Sequence, residues 1–221
     1  MRKLLLILFS ISVLSCCAPN KIEMIVYTSD IELASEGEII EIPLIAKFSM
    51  MGETEDLEEI SQLAKKYLHP DSTLEKIKGD WGDVIVVSTK IPMGTSVTLK
   101  EYARQNRRLM NLLVSDVDGS IDNKSLIVTI NATNEFEEFN TLITNVNFML
   151  GFDLPAALTN VRVISDSKND NIVTGNSIWV NEKAYVQLNK KLSRREEVEL
   201  GFKGSEDSIY SQVPIKFFIK Y

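Results

Sequence analysis

The chain has 221 residues, with 24 basic against 31 acidic side chains, a formal charge of −7 and 44% hydrophobic residues. The acidic balance disfavours nucleic acid as a partner, because phosphate binding depends on basic neutralisation. The length allows one large domain or two small ones, and the two cysteines, Cys16 and Cys17, are adjacent, so a body folded beyond residue 17 has no disulfide and stands on its apolar core.

The first element in chain order is an export signal. Arg2 and Lys3 form a basic start, Leu4 to Leu14 is an apolar stretch, and Ser15 is a small residue where a peptidase would close. The apolar run through Ala18 is shorter than the roughly 20 residues that a bilayer-spanning helix needs. Val13-Leu14-Ser15-Cys16 resembles the bacterial lipobox. That resemblance implies a diacylglyceryl thioether on Cys16, cleavage before it, and acylation of the new terminus. Cys17 is the alternative lipid site, less suited because Cys16 and not a small residue precedes it. The implied address is the cell envelope, with the membrane as a partner through the N-terminal lipid. In a Gram-negative cell it is the outer membrane facing the periplasm, since no Asp follows the acylated cysteine. Loss of Arg2 and Lys3 with residues 1–15 takes the formal charge from −7 to −9.

Residues 16–21 form a short lipidated tether ahead of an α+β region over 22–155 and a β-rich C-terminal region over 156–221. Ile22 to Thr28 reads as a strand and SDIELASEG as a polar connection. Glu38 to Met50 is a second strand in which Pro43 suggests an edge or a bulge. Thr54 to Leu68 has one apolar helical face, acidic residues in its first turn and Lys65 and Lys66 in its last. His69-Pro70 stops it. Asp83 to Pro92 is a β-branched strand, and Leu109 to Ser115 and Lys124 to Ala132 flank an Asp-Gly turn as a hairpin. Between them TLKEYARQNRR reads as a short helix opened by Thr98 and Glu101. Asn134 to Leu150 is a second amphipathic helix that presents Phe139 and Ile143. Strands follow in NVRVISDS, IVTGNSIWVNEKAYVQLN and VPIKFFIKY. The expected fold is α+β, an antiparallel sheet packed with two main helices and followed by a β-sandwich-like C-terminal unit.

The lipobox, Thr28-Ser29-Asp30-Ile31 after the first strand, a central helix ending in Gly151-Phe152-Asp153-Leu154, and Asn169-Asp170-Asn171 followed by the run Ser177 to Tyr185 together resemble a loosely defined group of bacterial and phage-associated lipoproteins. The likeness implies a compartment and a lipid site, with no chemistry to transfer.

Candidate sites are few. VDGSIDN (117–123) and DSKNDN (166–171) carry clustered carboxylates that suit Ca²⁺, yet Asp, Gly and Asn are also what tight turns need; no metal and no cofactor are expected. The sole histidine, His69, sits at a helix end, and no G-x-S-x-G, H-E-x-x-H or phosphate-loop pattern occurs, so the chain reads as a non-enzyme. Trp81, between two Gly-Asp pairs, is a candidate binding anchor. Arg104 and Arg108, with Lys100 and Arg107, would form a basic stripe on the short helix that meets an acidic partner or lipid headgroups. The leading reading is a lipid-anchored envelope protein that acts through contacts with another envelope protein. The alternatives are a module that holds a small apolar or glycan ligand between helix 134–150 and the sheet, and a hydrolase.

Overall fold

The computed structural model describes residues 21–50, 57–79, 82–117, 124–146, 150, 158–180, 183–202 and 215–221. The signal, the lipid sites Cys16 and Cys17, Trp81 and most of the VDGSIDN turn lie outside the described residues.

Fifteen elements alternate along the chain: β1 (Lys21–Tyr27), α1 (Thr28–Ser35), β2 (Ile40–Ser49), α2 (Leu57–Tyr67), β3 (Thr73–Lys78), β4 (Asp83–Gly94), α3 (Ser96–Ala103), β5 (Met110–Asp116), β6 (Ser125–Ala132), α4 (Glu135–Val146), β7 (Leu158–Ile164), β8 (Asn171–Val180), β9 (Lys183–Leu192), β10 (Glu197–Phe202) and β11 (Ile215–Lys220). The class is α+β. Among the described residues the eleven strands share one sheet, ten of them in the order β10-β7-β1-β2-β4-β5-β6-β11-β8-β9 and β3 off this path. A pairing of Gly201 in β10 with Trp179 in β8 brings the two sides together, so the sheet curls into a nearly closed barrel. β3 is attached to β4 and β9 to β8. The expected C-terminal sandwich is therefore corrected: β7 pairs in parallel with β1, and β11 pairs with β6. Early and late strands need each other to satisfy their backbone N–H and C=O groups.

One face of this sheet forms the core. Ile22 lies opposite Ala46, Ile42 opposite Ile91, Val114 opposite Val128, Val128 opposite Phe217, and Met24 opposite Val161. All are buried, as the period of two along each strand requires. Pro43 sits one residue beyond the β1–β2 ladder, which runs from Leu44 to Lys47, so β2 is locally an edge there.

The helices close the curled sheet. α1 packs against β1, β2, β4, β5 and β6 with Thr28, Ile31 and Ala34 fully buried. This stretch read as a connection, because its helix cap comes from far along the chain. Tyr27 makes no side-chain cap; instead Asp166, just after β7, accepts from the Ser29 N–H at 2.9 Å and from the Thr28 and Ser29 hydroxyls at 2.9 and 2.5 Å. Tyr221 donates to the Thr28 carbonyl at 2.6 Å, and burial pushes its hydroxyl pKa up.

α2 and α4 pack on each other. The Tyr67 and Phe139 rings meet edge to face with centroids 5.7 Å apart, and Tyr67 donates to Glu138 at 2.5 Å. Phe139 and Ile143 are both buried. The space between these helices and the sheet, lined by Phe48, Ile60, Val87 and Phe139 among others, is a cavity of about 10 Å³. That is about the size of a single water.

Two strands went unrecognised. β3 is exposed at nearly every position and lacks the alternation that marks a half-buried strand. It is tied to β4 by Lys78 and Lys76, 2.9 and 3.5 Å from the buried Asp83 carboxylate. β10 buries Val198, Leu200 and Phe202 in a sequence, EVELGF, short enough to pass as loop.

Candidate functional site: a cationic pocket between α3 and α4

The parallel pair β4–β5 needs a crossover, and α3 supplies it. β4 ends at Gly94, where a Cβ would lie 2.6 Å from Thr98 Oγ1 and 2.8 Å from Ile39 Cδ1; only glycine lets the helix start so close to the strand. Thr95 then caps α3. Its Oγ1 accepts from the Thr98 N–H at 3.3 Å, and its own N–H donates to Thr98 Oγ1 at 3.0 Å. The cap thus falls three residues before the expected Thr98–Glu101 pair, and the helix ends at Ala103.

That early end breaks up the expected basic stripe. Lys100 is on α3 and Arg104 caps its C-terminus, exposed and 3.8 Å from Glu101. Arg107 and Arg108 lie beyond the helix, and Arg108 is only 8% exposed. Lys100, Arg107 and Arg108 are reunited in a different setting. They line a pocket of about 400 Å³ between α3, the start of β5 and the start of α4, with Tyr102, Asn111 and Glu135 also on its wall. Arg104 is not part of it.

Arg108 is held from several sides. Its Nη1 donates to the Arg107 carbonyl at 2.8 Å, its guanidinium carbon lies 5.7 Å from the centre of the Tyr102 ring, and its own carbonyl accepts from the Thr133 hydroxyl. Its Nε is nonetheless buried without a hydrogen-bond partner. Glu135 Oε2 is likewise buried and without one. It lies 3.5 Å from Arg107 Nη1, an ion-pair distance without hydrogen-bond alignment, and Arg107 is shared with Glu138 at 3.4 Å. An unmet buried donor or acceptor costs about 1–3 kcal/mol, more when charged, and the Arg107 ion pair offsets part of that cost at Glu135.

A second polar cluster borders the first. His69 Nε2 is 2.9 Å from Glu41 Oε1, and the Asp71 N–H donates to His69 Nδ1 at 3.0 Å. Because Nδ1 accepts, the ring proton sits on Nε2 and is given to Glu41. Ser72 Oγ is 2.8 Å from Thr89 Oγ1 and accepts from the His69 N–H at 3.1 Å. The serine hydroxyl does not meet the imidazole, and both ring nitrogens are engaged, so this Ser–His–Glu grouping lacks the nucleophile–base contact that acyl transfer requires.

In the second acidic loop the carboxylates serve the fold. Asp166 caps α1, Asp170 is 2.6 Å from Lys191, and Ser167 and Asn169 bond each other locally. Among the described residues no three His, Cys, Asp or Glu side chains gather as a metal site would need, and no helix is long and apolar enough to cross a membrane. Sequence reasoning singled out Arg108 for its charge but not its burial, and it missed Glu135 and Tyr102. Their meeting depends on where α3 stops. Comparison with known protein families, with curated proteins and with solved structures finds no match.

Proposed function

We propose that this chain is an exported, lipid-anchored, non-enzymatic module of the bacterial envelope that binds a small polar ligand in the α3–α4 pocket. The observation that carries the reading is Arg108, buried in the wall of an open pocket with a hydrogen-bond donor to spare. A pocket of a few hundred cubic ångströms with a few convergent polar groups is the usual form of a small-molecule site. The lipobox-like Val13 to Cys16 supports the address, an outer-membrane anchor facing the periplasm in a Gram-negative cell. Mass spectrometry of the mature amino-terminal peptide tests it, with a lipidated Cys16 as the expected species.

Thermal unfolding of the full-length protein in mild detergent, screened against amino acids, sugars, nucleotides and dicarboxylates, tests the binding. A ligand that binds only the native state raises the midpoint. Ala103→Trp, which fills the pocket from the exposed side of α3, should abolish the shift and leave the unliganded midpoint unchanged. No shift with any class contradicts the reading.

A second reading, contact with an envelope protein, is favoured by β9. Among the described residues it pairs only with β8, and it presents Val186 at 88% exposure. Such an edge is a template for an added strand. Crosslinking from position 186 in intact cells tests it, and the absence of any crosslinked species contradicts it.

A further inference from the structure

β3 and β9 are the strands that the core uses least. Among the described residues β3 pairs only with β4 and β9 only with β8. Five of the six residues of β3 and seven of the ten of β9 are exposed, on both faces of each strand, whereas β1 buries every second residue. Their charges are used differently. On β3, Lys76 and Lys78 reach the buried Asp83 carboxylate at 3.5 and 2.9 Å, so its cations serve the fold. From Lys183 to Arg195 the chain carries five cations and no anion. Among the described residues only Lys191 of these five has an ion pair, with Asp170 at 2.6 Å. Glu196, which follows, is engaged by the Ser193 N–H at 2.8 Å. Lys183, Lys190, Arg194 and Arg195 are exposed and give β9 a positive border in a chain whose net charge is −7. The exposed Val186 lies between Lys183 and Lys190.

Resting on the second reading above, we propose that β9 receives an extended acidic segment of an envelope protein as an added strand. The backbone of the segment pairs along the side of β9 turned away from β8, its carboxylates meet Lys183 and Lys190, and an apolar side chain covers Val186. Opposite charges on facing strands stabilise the pair and like charges oppose it. A second copy of this chain is disfavoured by that rule, because its β9 would bring the same cations and no anion to the edge. Lysines on an exposed edge also keep it from pairing indiscriminately, and an acidic strand is the kind that they admit.

The test is fluorescence anisotropy of a labelled peptide titrated with the full-length protein in mild detergent. The probe alternates threonine and valine over ten residues, with glutamate at three of the threonine positions. One control carries lysine in place of the glutamates. A second keeps the glutamates and has proline at two central positions, which removes backbone donors. The glutamate probe should bind at least about tenfold more tightly than either control. Raising sodium chloride from about 0.05 to about 0.5 M should weaken it about tenfold, as screening of exposed charges requires. The double variant Lys183→Glu with Lys190→Glu should reverse the order, so that the lysine probe binds better. Equal affinity for the glutamate and lysine probes, equal affinity with and without proline, or indifference to salt overturns the proposal. So does a dimer of the protein alone, seen by sedimentation and lost in Val186→Lys. No binding of any probe overturns the acidic strand, whereas the partner reading itself falls only if crosslinking from position 186 in cells is silent too.

Discussion

The clusters around His69 and Arg108 share Tyr102, whose hydroxyl donates to Glu41 at 3.4 Å while its ring flanks the Arg108 guanidinium. Around His69 both ring nitrogens, the Ser72 hydroxyl and the Thr89 hydroxyl all have partners. Around Arg108 its Nε and Glu135 Oε2 lack a hydrogen bond, the carboxylate being met only by the Arg107 ion pair at 3.5 Å. A buried polar cluster that is fully paired holds strands and helices in register. One that is partly paired costs stability.

The largest effects belong to the core that both clusters border. Phe139→Ala and Ile143→Ala remove buried side chains from α4 and should each cost about 2–5 kcal/mol in urea unfolding. Reductant should change nothing, because no cysteine follows residue 17. Unchanged midpoints in both variants would mean that the α4 stripe does not carry the fold. His69→Ala comes next. It removes the link between the end of α2 and Glu41 and should cost about 1–3 kcal/mol. Lys100→Ala, on the pocket wall, should stay within about 0.5 kcal/mol. Equal losses at the two positions would erase the contrast between a structural cluster and a binding one.

Acid sharpens the comparison further. Hydrogen bonds from Ser29 and Thr28 outweigh burial and hold the Asp166 pKa below its ordinary value of 3.8. Its contribution is therefore complete above about pH 3.8 and is lost as the pH falls through the lower folded value. Asp30 is pushed the other way, by burial first and then by the Asp166 charge. Its contribution is complete below 3.8 and is lost as the pH rises through the raised value. Asp166→Ala should cost about 0.5–2 kcal/mol near neutrality, as loss of a helix cap does, and should flatten the acid limb of midpoint against pH. An acid limb identical to the parent's would show that Asp166 is not the cap that matters. Asp30→Asn should give the smallest change, a slight gain near neutrality read from the same urea midpoints; a loss there contradicts the sign argued from its raised pKa.

Most strands and both amphipathic helices were legible because their signals are local. β1, β2, β4, the β5–β6 hairpin and β11 alternate or run apolar, and α2 and α4 carry apolar stripes at helical spacing. What escaped depended on distant partners. α1 is capped by a residue 137 positions away, β3 survives as an exposed edge through Asp83, and the late strands join the early ones through β7 on β1. The pocket was half legible. Arg108 stood out as a charge, but its burial follows from α3 stopping at Ala103, and Glu135 enters only through the first turn of α4. Acidic residues in the first turn of a helix are ordinary, so nothing in the sequence set Glu135 apart.

The central claim is that the spare donor of Arg108 is a recognition group. The Nε–H resonance of Arg108 reports on it directly, assigned by its loss in Arg108→Lys and followed in ¹H–¹⁵N spectra of the full-length protein during titration with a compound that raises the thermal midpoint. The account predicts that saturation moves this resonance downfield and slows its exchange with water, while the resonance of exposed Arg104 stays where it was. An Arg108 Nε–H that is unmoved while ligand binds elsewhere would contradict it.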